Sequence, residues 1–137
     1  VMDASLGETT DLPDLRRRVI TDWIYRLPSV RLADAVASAG GRAYLAMTGR
    51  VDGQPARHAV DVPGLLGRSL PTDSPEAVRR AGEITDAIRR FVRDDMDWSP
   101  VTRATGTPPA RSFGDPLFDA GSAYELVRDR WDGIVRP

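Results

Sequence analysis

Leu15, Val19, Ile20, Trp23, Ile24 and Leu27 recur at the three- and four-residue spacing of a single helix face, with arginines and acids between them. The pattern predicts a helix from Pro13 to Gly40. Pro13 stands where a first-turn proline is tolerated, and "AGG" at Ala39 to Gly41 supplies a glycine stop. Pro28 interrupts the run, so a kink or a break into a second helix is expected there. The stripe resumes at Val30, Ala33, Val36 and Ala37. "RAYLAMT", Arg42 to Thr48, is a short apolar run and reads as a buried strand. "GRVDGQP" after it is turn chemistry centred on Asp52-Gly53.

The strongest helix signal is "TDSPEAVRRAGEITDAIRRFVRDDM". Ser74 can cap it, Pro75 takes the first helical position and Glu76 suits the positive end. Val78, Ala81, Ile84, Ile88, Phe91 and Val92 line one face. From Trp98 to Gly121 periodicity is lost among prolines and glycines, which predicts loop with one short strand near Phe113. "SAYELVRDRWDG" predicts a final helix, opened by a Ser122/Glu125 capping box and stopped at Gly133. One or two strands cannot make a sheet that covers all these apolar faces. The chain therefore reads as a single partial α/β domain over 1–137, mostly helical and without a complete sheet, with a flexible N-terminus over 1–11.

Composition removes several classes of function. There is no cysteine, so disulfides and thiolate metal sites are excluded, and one histidine makes a zinc site improbable. No metal or cofactor is expected. The formal charge of −1 gives no global attraction to nucleic acid or an anionic membrane, and no apolar run reaches the ~20 residues that span a bilayer. "RRR" at Arg16 to Arg18 reads as a solvated helix face, offset by Asp11 and Asp14. Asp94, Asp95 and Asp97 lack the loop glycine and terminal glutamate of a calcium loop. Trp23, Trp98 and Trp131 read as core or partner-contacting aromatics. "VMDASLGETT" does not resemble a signal peptide, which favours a cytoplasmic setting over secretion, although any targeting segment would precede Val1. A first residue of valine fits either a literally read GTG start or a piece of a longer chain.

The candidate chemistry sits in "PARHAVDVPGLLG", Pro55 to Gly67, which carries the sole histidine, His58, on a loop just beyond a strand. Together with "TDWIYRLPSVRLADAVASAGGRAYLAMTG", Thr21 to Gly49, this stretch resembles the C-terminal region of type-B carboxylesterases, the cholinesterase-like branch of the α/β-hydrolases. In that family a helix leads through a Gly-Gly turn into a late strand. A Gly-Ala-x-His-(Gly/Ala)-x-(Asp/Glu)-(Leu/Ile)-Pro loop follows. Ala56, His58, Ala59, Asp61 and Pro63 match in register and Val62 fits conservatively. Pro55 replaces the usual glycine, and "GLLG" at Gly64 to Gly67 replaces (Phe/Tyr)-Val-Phe-Gly. The resemblance covers about Asp11 to Trp98 and implies the C-terminal part of an α/β-hydrolase fold.

It also implies that His58 is the general base of a Ser-Asp/Glu-His triad acting on a small carboxylic ester, with Asp61 a supporting group that fixes the loop. The triad order is serine, acid, histidine along the chain. Only 57 residues precede His58, and no Gly-x-Ser-x-Gly occurs in the sequence. Ser5, Ser29 and Ser38 lack the flanking glycines, and Asp22, Asp34 and Asp52 stand in helix or turn contexts. The serine, the acid and the oxyanion donors are thus expected in a missing N-terminal portion of the hydrolase domain or on another chain. On this reading the isolated chain is inactive and leaves its helical stripes partly uncovered. The alternative is a non-catalytic, stand-alone binding or assembly module with a closed core and no special role for His58.

Overall fold

The computed structural model describes residues 11–102, 106–115 and 119–134. Most of the N-terminus expected to be flexible, 1–10, lies outside them. The elements run α1 (Leu12–Thr21), a π turn (Asp22–Arg26), α2 (Leu27–Ser38), β1 (Leu45–Thr48), α3 (Val62–Leu65), α4 (Pro75–Val92), β2 (Ala110–Phe113) and α5 (Ala120–Arg130). The chain is a mostly helical α/β protein. β1 and β2 form a parallel pair, the two strands of one sheet among the described residues, with Leu45 opposite Ala110 and Thr48 opposite Phe113. Among the described residues no helix is long and apolar enough to cross a membrane.

Of the kink or break expected at Pro28, the break does not occur. Backbone angles stay helical through Thr21, Arg26 and Leu27, and the Leu27 N–H reaches back five residues to the Asp22 carbonyl. An α-helical proline would drive its ring into the carbonyl four residues earlier and would leave that acceptor unpaired. One wide turn just before the proline admits the ring without ending the helix. α2 then stops as expected. Gly40 (φ 79°) turns left-handed, its N–H donates to Ala37, and the Gly41 N–H donates to Val36, the paired bonds of a Schellman stop.

Period-two alternation divides the sheet into two faces. Leu45 and the residues around it pack with Leu27, Val30 and Ala33 of α2, Tyr124 and Val127 of α5, and Val101. On the opposite face Phe113 meets Ile84 and Ala87 of α4, with Ala46 and Trp98 packed against them. The Tyr124 hydroxyl donates to the Ala46 carbonyl at 2.7 Å, and burial pushes its pKa up to about 12. α5 is tied to α2 by Arg128, which donates to both carboxylate oxygens of Asp34 at 2.8 and 3.1 Å. Trp23 and Trp131 pack at 4.9 Å between ring centroids. Asp94, Asp95 and Asp97 pair with Arg42, Arg90 and Arg111 respectively.

Two terminal assignments differ from the sequence pattern. α4 opens on Ser74, which accepts from the Ala77 N–H at 3.1 Å, but it ends at Val92, since Asp94 adopts φ 59° and cannot continue the helix. α5 opens at Asp119 and not at a Ser122/Glu125 box. Asp119 accepts from the Ser122 N–H at 2.7 Å and from its hydroxyl, and Glu125 instead accepts from the Thr107 hydroxyl. A carboxylate three residues ahead of Ser122 is the stronger acceptor for an orphan helix N–H.

These caps and buried bonds have measurable weights. Those backbone and side-chain bonds from Ser122 hold the Asp119 carboxyl below the usual carboxylate range. Its capping contribution is therefore present above about pH 4, the unfolded carboxylate value, and is lost as pH falls through the lower folded value. Asp119→Ala is expected to cost about 1 kcal/mol in neutral urea titrations and progressively less in acid. Tyr124→Phe, which removes the bond to the half-buried Ala46 carbonyl, is expected to cost about 0.5–1.5 kcal/mol in the same titrations.

Candidate functional site

The loop that carries His58 leaves the carboxyl end of β1 and is pinned to α4 at two points. At its start the Asp52 N–H donates to Glu76 at 2.7 Å, beside a tight turn in which Val51 and Gln54 bond each other's backbone. At its end α3 lies directly on α4, and the Thr85 hydroxyl donates to the Gly64 carbonyl at 2.7 Å. A Cβ at Gly64 would stand 2.9 Å from both the Ala81 carbonyl oxygen and the Ile84 Cβ, so no larger residue fits without moving α3. This accounts for the first departure inside "GLLG". The aromatic expected there has no room once the two helices touch.

Between these anchors the backbone folds back on itself. The Val60 N–H donates to Arg57 and the Val62 N–H to Ala59, and Ala59 sits at φ 61°. A left-handed alanine costs about 1–2 kcal/mol, and this geometry holds His58 at the crest of the turn. Asp61 occupies the N-cap position of α3, where its backbone carbonyl accepts from Leu65. Its side chain makes no capping hydrogen bond. The resemblance takes Asp61 as a support for the loop; the imidazole itself bonds a residue from elsewhere in the chain.

That residue is Tyr25. Its hydroxyl lies 2.9 Å from His58 Nδ1, and the two rings are tilted by 42° with centroids 5.9 Å apart. Tyr25 belongs to the π turn, 33 residues earlier in the chain. Its backbone is held as well, because the Ser29 hydroxyl donates to the Tyr25 carbonyl at 2.8 Å. The frame beneath is ionic. Asp22, buried in the same turn, pairs with Arg26 at 2.9 Å and with Arg130 of α5 at 3.4 Å. Of the upstream acids noted in the sequence, Asp22 and Asp34 are engaged by arginines across the α2–α5 junction, and Asp52 marks the turn after β1. Sequence reading overlooked Tyr25, since the 3.6-residue period does not describe a turn of wider pitch. The available signal was the proline three positions on, which an unbroken α-helix cannot absorb without a local change before it.

Chemically the arrangement offers an exposed imidazole with one nitrogen occupied and the other unbonded among the described residues. A neutral imidazole in that state either accepts or donates a proton at Nε2, as the tautomer dictates. No protein-family model matches the chain, and no solved structure gives a significant match.

Two substitutions check this geometry. Ala59→Gly is expected to raise stability by about 0.5–1 kcal/mol, the left-handed relief exceeding the extra freedom of the unfolded glycine. Gly64→Ala should lower it by about 1–3 kcal/mol through the clash with α4. Chemical denaturation of the purified variants reads both; an unchanged Gly64→Ala would show that α3 does not rest on α4.

Proposed function

We propose that this chain is the C-terminal segment of a carboxylic ester hydrolase of the type-B carboxylesterase kind, supplying the histidine of a Ser-Asp/Glu-His triad. The observation that carries the reading is the setting of His58, on a tethered loop beyond the carboxyl end of a parallel strand, with Nδ1 held and Nε2 unengaged among the described residues. In this chemistry Nε2 takes the proton from the serine hydroxyl and returns it to the leaving alcohol, while Nδ1 is steadied by a partner. Loops at the carboxyl ends of parallel strands are where α/β folds carry such groups.

Two further features favour a larger domain. Among the described residues β1 pairs with β2 alone, and parallel sheets are ordinarily wider. The apolar stripe of α1 and the π turn is half exposed, with Leu15, Val19, Ile20 and Ile24 between 42% and 47% exposed. On α4, Val78, Ile88, Phe91 and Val92 are likewise exposed beside the buried Ala81, Ile84 and Ala87. Covering each half-exposed aliphatic side chain contributes about 1 kcal/mol, so a partner domain carrying the serine and the acid gains several kcal/mol by seating there. Such a chain needs no metal or cofactor of its own, and its substrate is a small carboxylic ester bound by the assembled site.

The closed packing on both faces of the small sheet favours a second reading, a self-standing binding or assembly module in which His58 has no chemical task. Hydrolysis of p-nitrophenyl acetate separates them. The chain alone and its His58→Ala variant are expected to match each other at the background rate. Joined to a polypeptide from the reading frame upstream of Val1 that carries Gly-x-Ser-x-Gly, the chain should hydrolyse the ester. His58→Ala should then lower the rate about 10⁴-fold or more. Turnover by the isolated chain that is lost with His58, or an upstream frame with no nucleophile, would overturn the reading.

A further inference from the structure

An exposed imidazole is free to rotate about its side-chain bonds and to exchange its proton between two nitrogens. Acting as a base at one nitrogen requires that the other be held, so that ring direction and tautomer are both set before substrate arrives. In this chain the group at the second nitrogen is a phenol. We propose that Tyr25 is a positioning residue for His58: its phenolic oxygen accepts from the Nδ1–H, which leaves Nε2 unprotonated as the working nitrogen. This rests on the reading of His58 as a catalytic base and adds to it a partner that neither composition nor motif indicates.

Three observations support the assignment. The Tyr25 hydroxyl to Nδ1 distance of 2.9 Å is a full hydrogen bond, and the tilted ring contact at 5.9 Å limits rotation of the imidazole. Tyr25 is itself held at both ends, by His58 at the hydroxyl and by Ser29 at the carbonyl. The π turn that carries it is anchored by the buried Asp22 between Arg26 and Arg130. π turns of this sort concentrate at functional positions, where one extra residue re-aims a side chain that regular spacing would send elsewhere.

A phenol can donate or accept, but only the accepting role leaves Nε2 able to take a proton, because a hydroxyl donating to Nδ1 would place the hydrogen on Nε2. It therefore holds the ring in the chain alone without adding charge, and it gives up Nδ1 when the acid of the completed triad takes that nitrogen. Tyr25 does not itself touch substrate; its effect runs through His58.

Because His58 is the only histidine, its two ring nitrogens can be read directly by ¹⁵N NMR of the intact chain. The tautomer ratio in the native chain is expected to lie about fivefold further toward Nδ1–H than that of histidine in a short unstructured peptide, the shift that one net hydrogen bond sustains. Tyr25→Phe should return the ratio and the ring rotamer to peptide values while leaving the backbone amide spectrum otherwise unchanged. A peptide-like ratio in the native chain, or one shifted toward Nε2–H, would overturn the assignment, and that comparison stands even if the variant fails to fold. A folded Tyr25→Phe that keeps the native ratio would overturn it as well. Neither measurement needs catalysis. A chain that never supports ester hydrolysis can still show Tyr25 holding His58, and an active complex can show that it does not.

Discussion

A proline inside a continuous helix is the constraint from which the rest of this architecture follows. Pro28 has no N–H to give and a ring that collides with the carbonyl four residues earlier. The chain answers with a five-residue reach from Leu27 to Asp22 and carries on as helix. The wide turn sets the residues before it about 100° around the axis from where unbroken α-helical spacing would leave them. Asp22 is thereby buried between two arginines, Trp23 meets Trp131, and Tyr25 projects to the loop after β1. α1 is left beyond the turn with its apolar stripe half exposed.

The second organising feature is how little freedom the His58 loop keeps. It is long, it carries a left-handed alanine, and its crest is exposed, all of which favour motion. Against this, Glu76 fixes its beginning, α3 pressed on α4 fixes its end, and Tyr25 holds the imidazole in the middle. Those three restraints come from α4 and from the π turn, so the loop is built by elements on either side of the sheet.

Much of this frame was legible in the residues. The Ser74-Pro75 opening of α4, the glycine stop of α2 and the short strand at Phe113 all follow from local chemistry that acts within a few residues. Features that depend on distance were not legible. Asp119 and Ser122 are both good caps, and only the position of the preceding chain decides between them. The α1 stripe announces an amphipathic helix whether or not anything covers it. Gly64 looked like a weakened motif and is instead the contact point of two helices. Tyr25 belonged to no pattern, because the period that would reveal it is broken at that place by Pro28.

The most direct test of this dependence is the nuclear Overhauser effect between the ring protons of Tyr25 and His58, measured in the native chain and in Pro28→Ala. Alanine restores the N–H and removes the clash, so regular α-helix can replace the π turn and carry Tyr25 away from the loop. A clear cross-peak in the native chain that vanishes in Pro28→Ala, with helix content preserved, is expected. A cross-peak of equal strength in Pro28→Ala would contradict it, and so would its absence from the native chain.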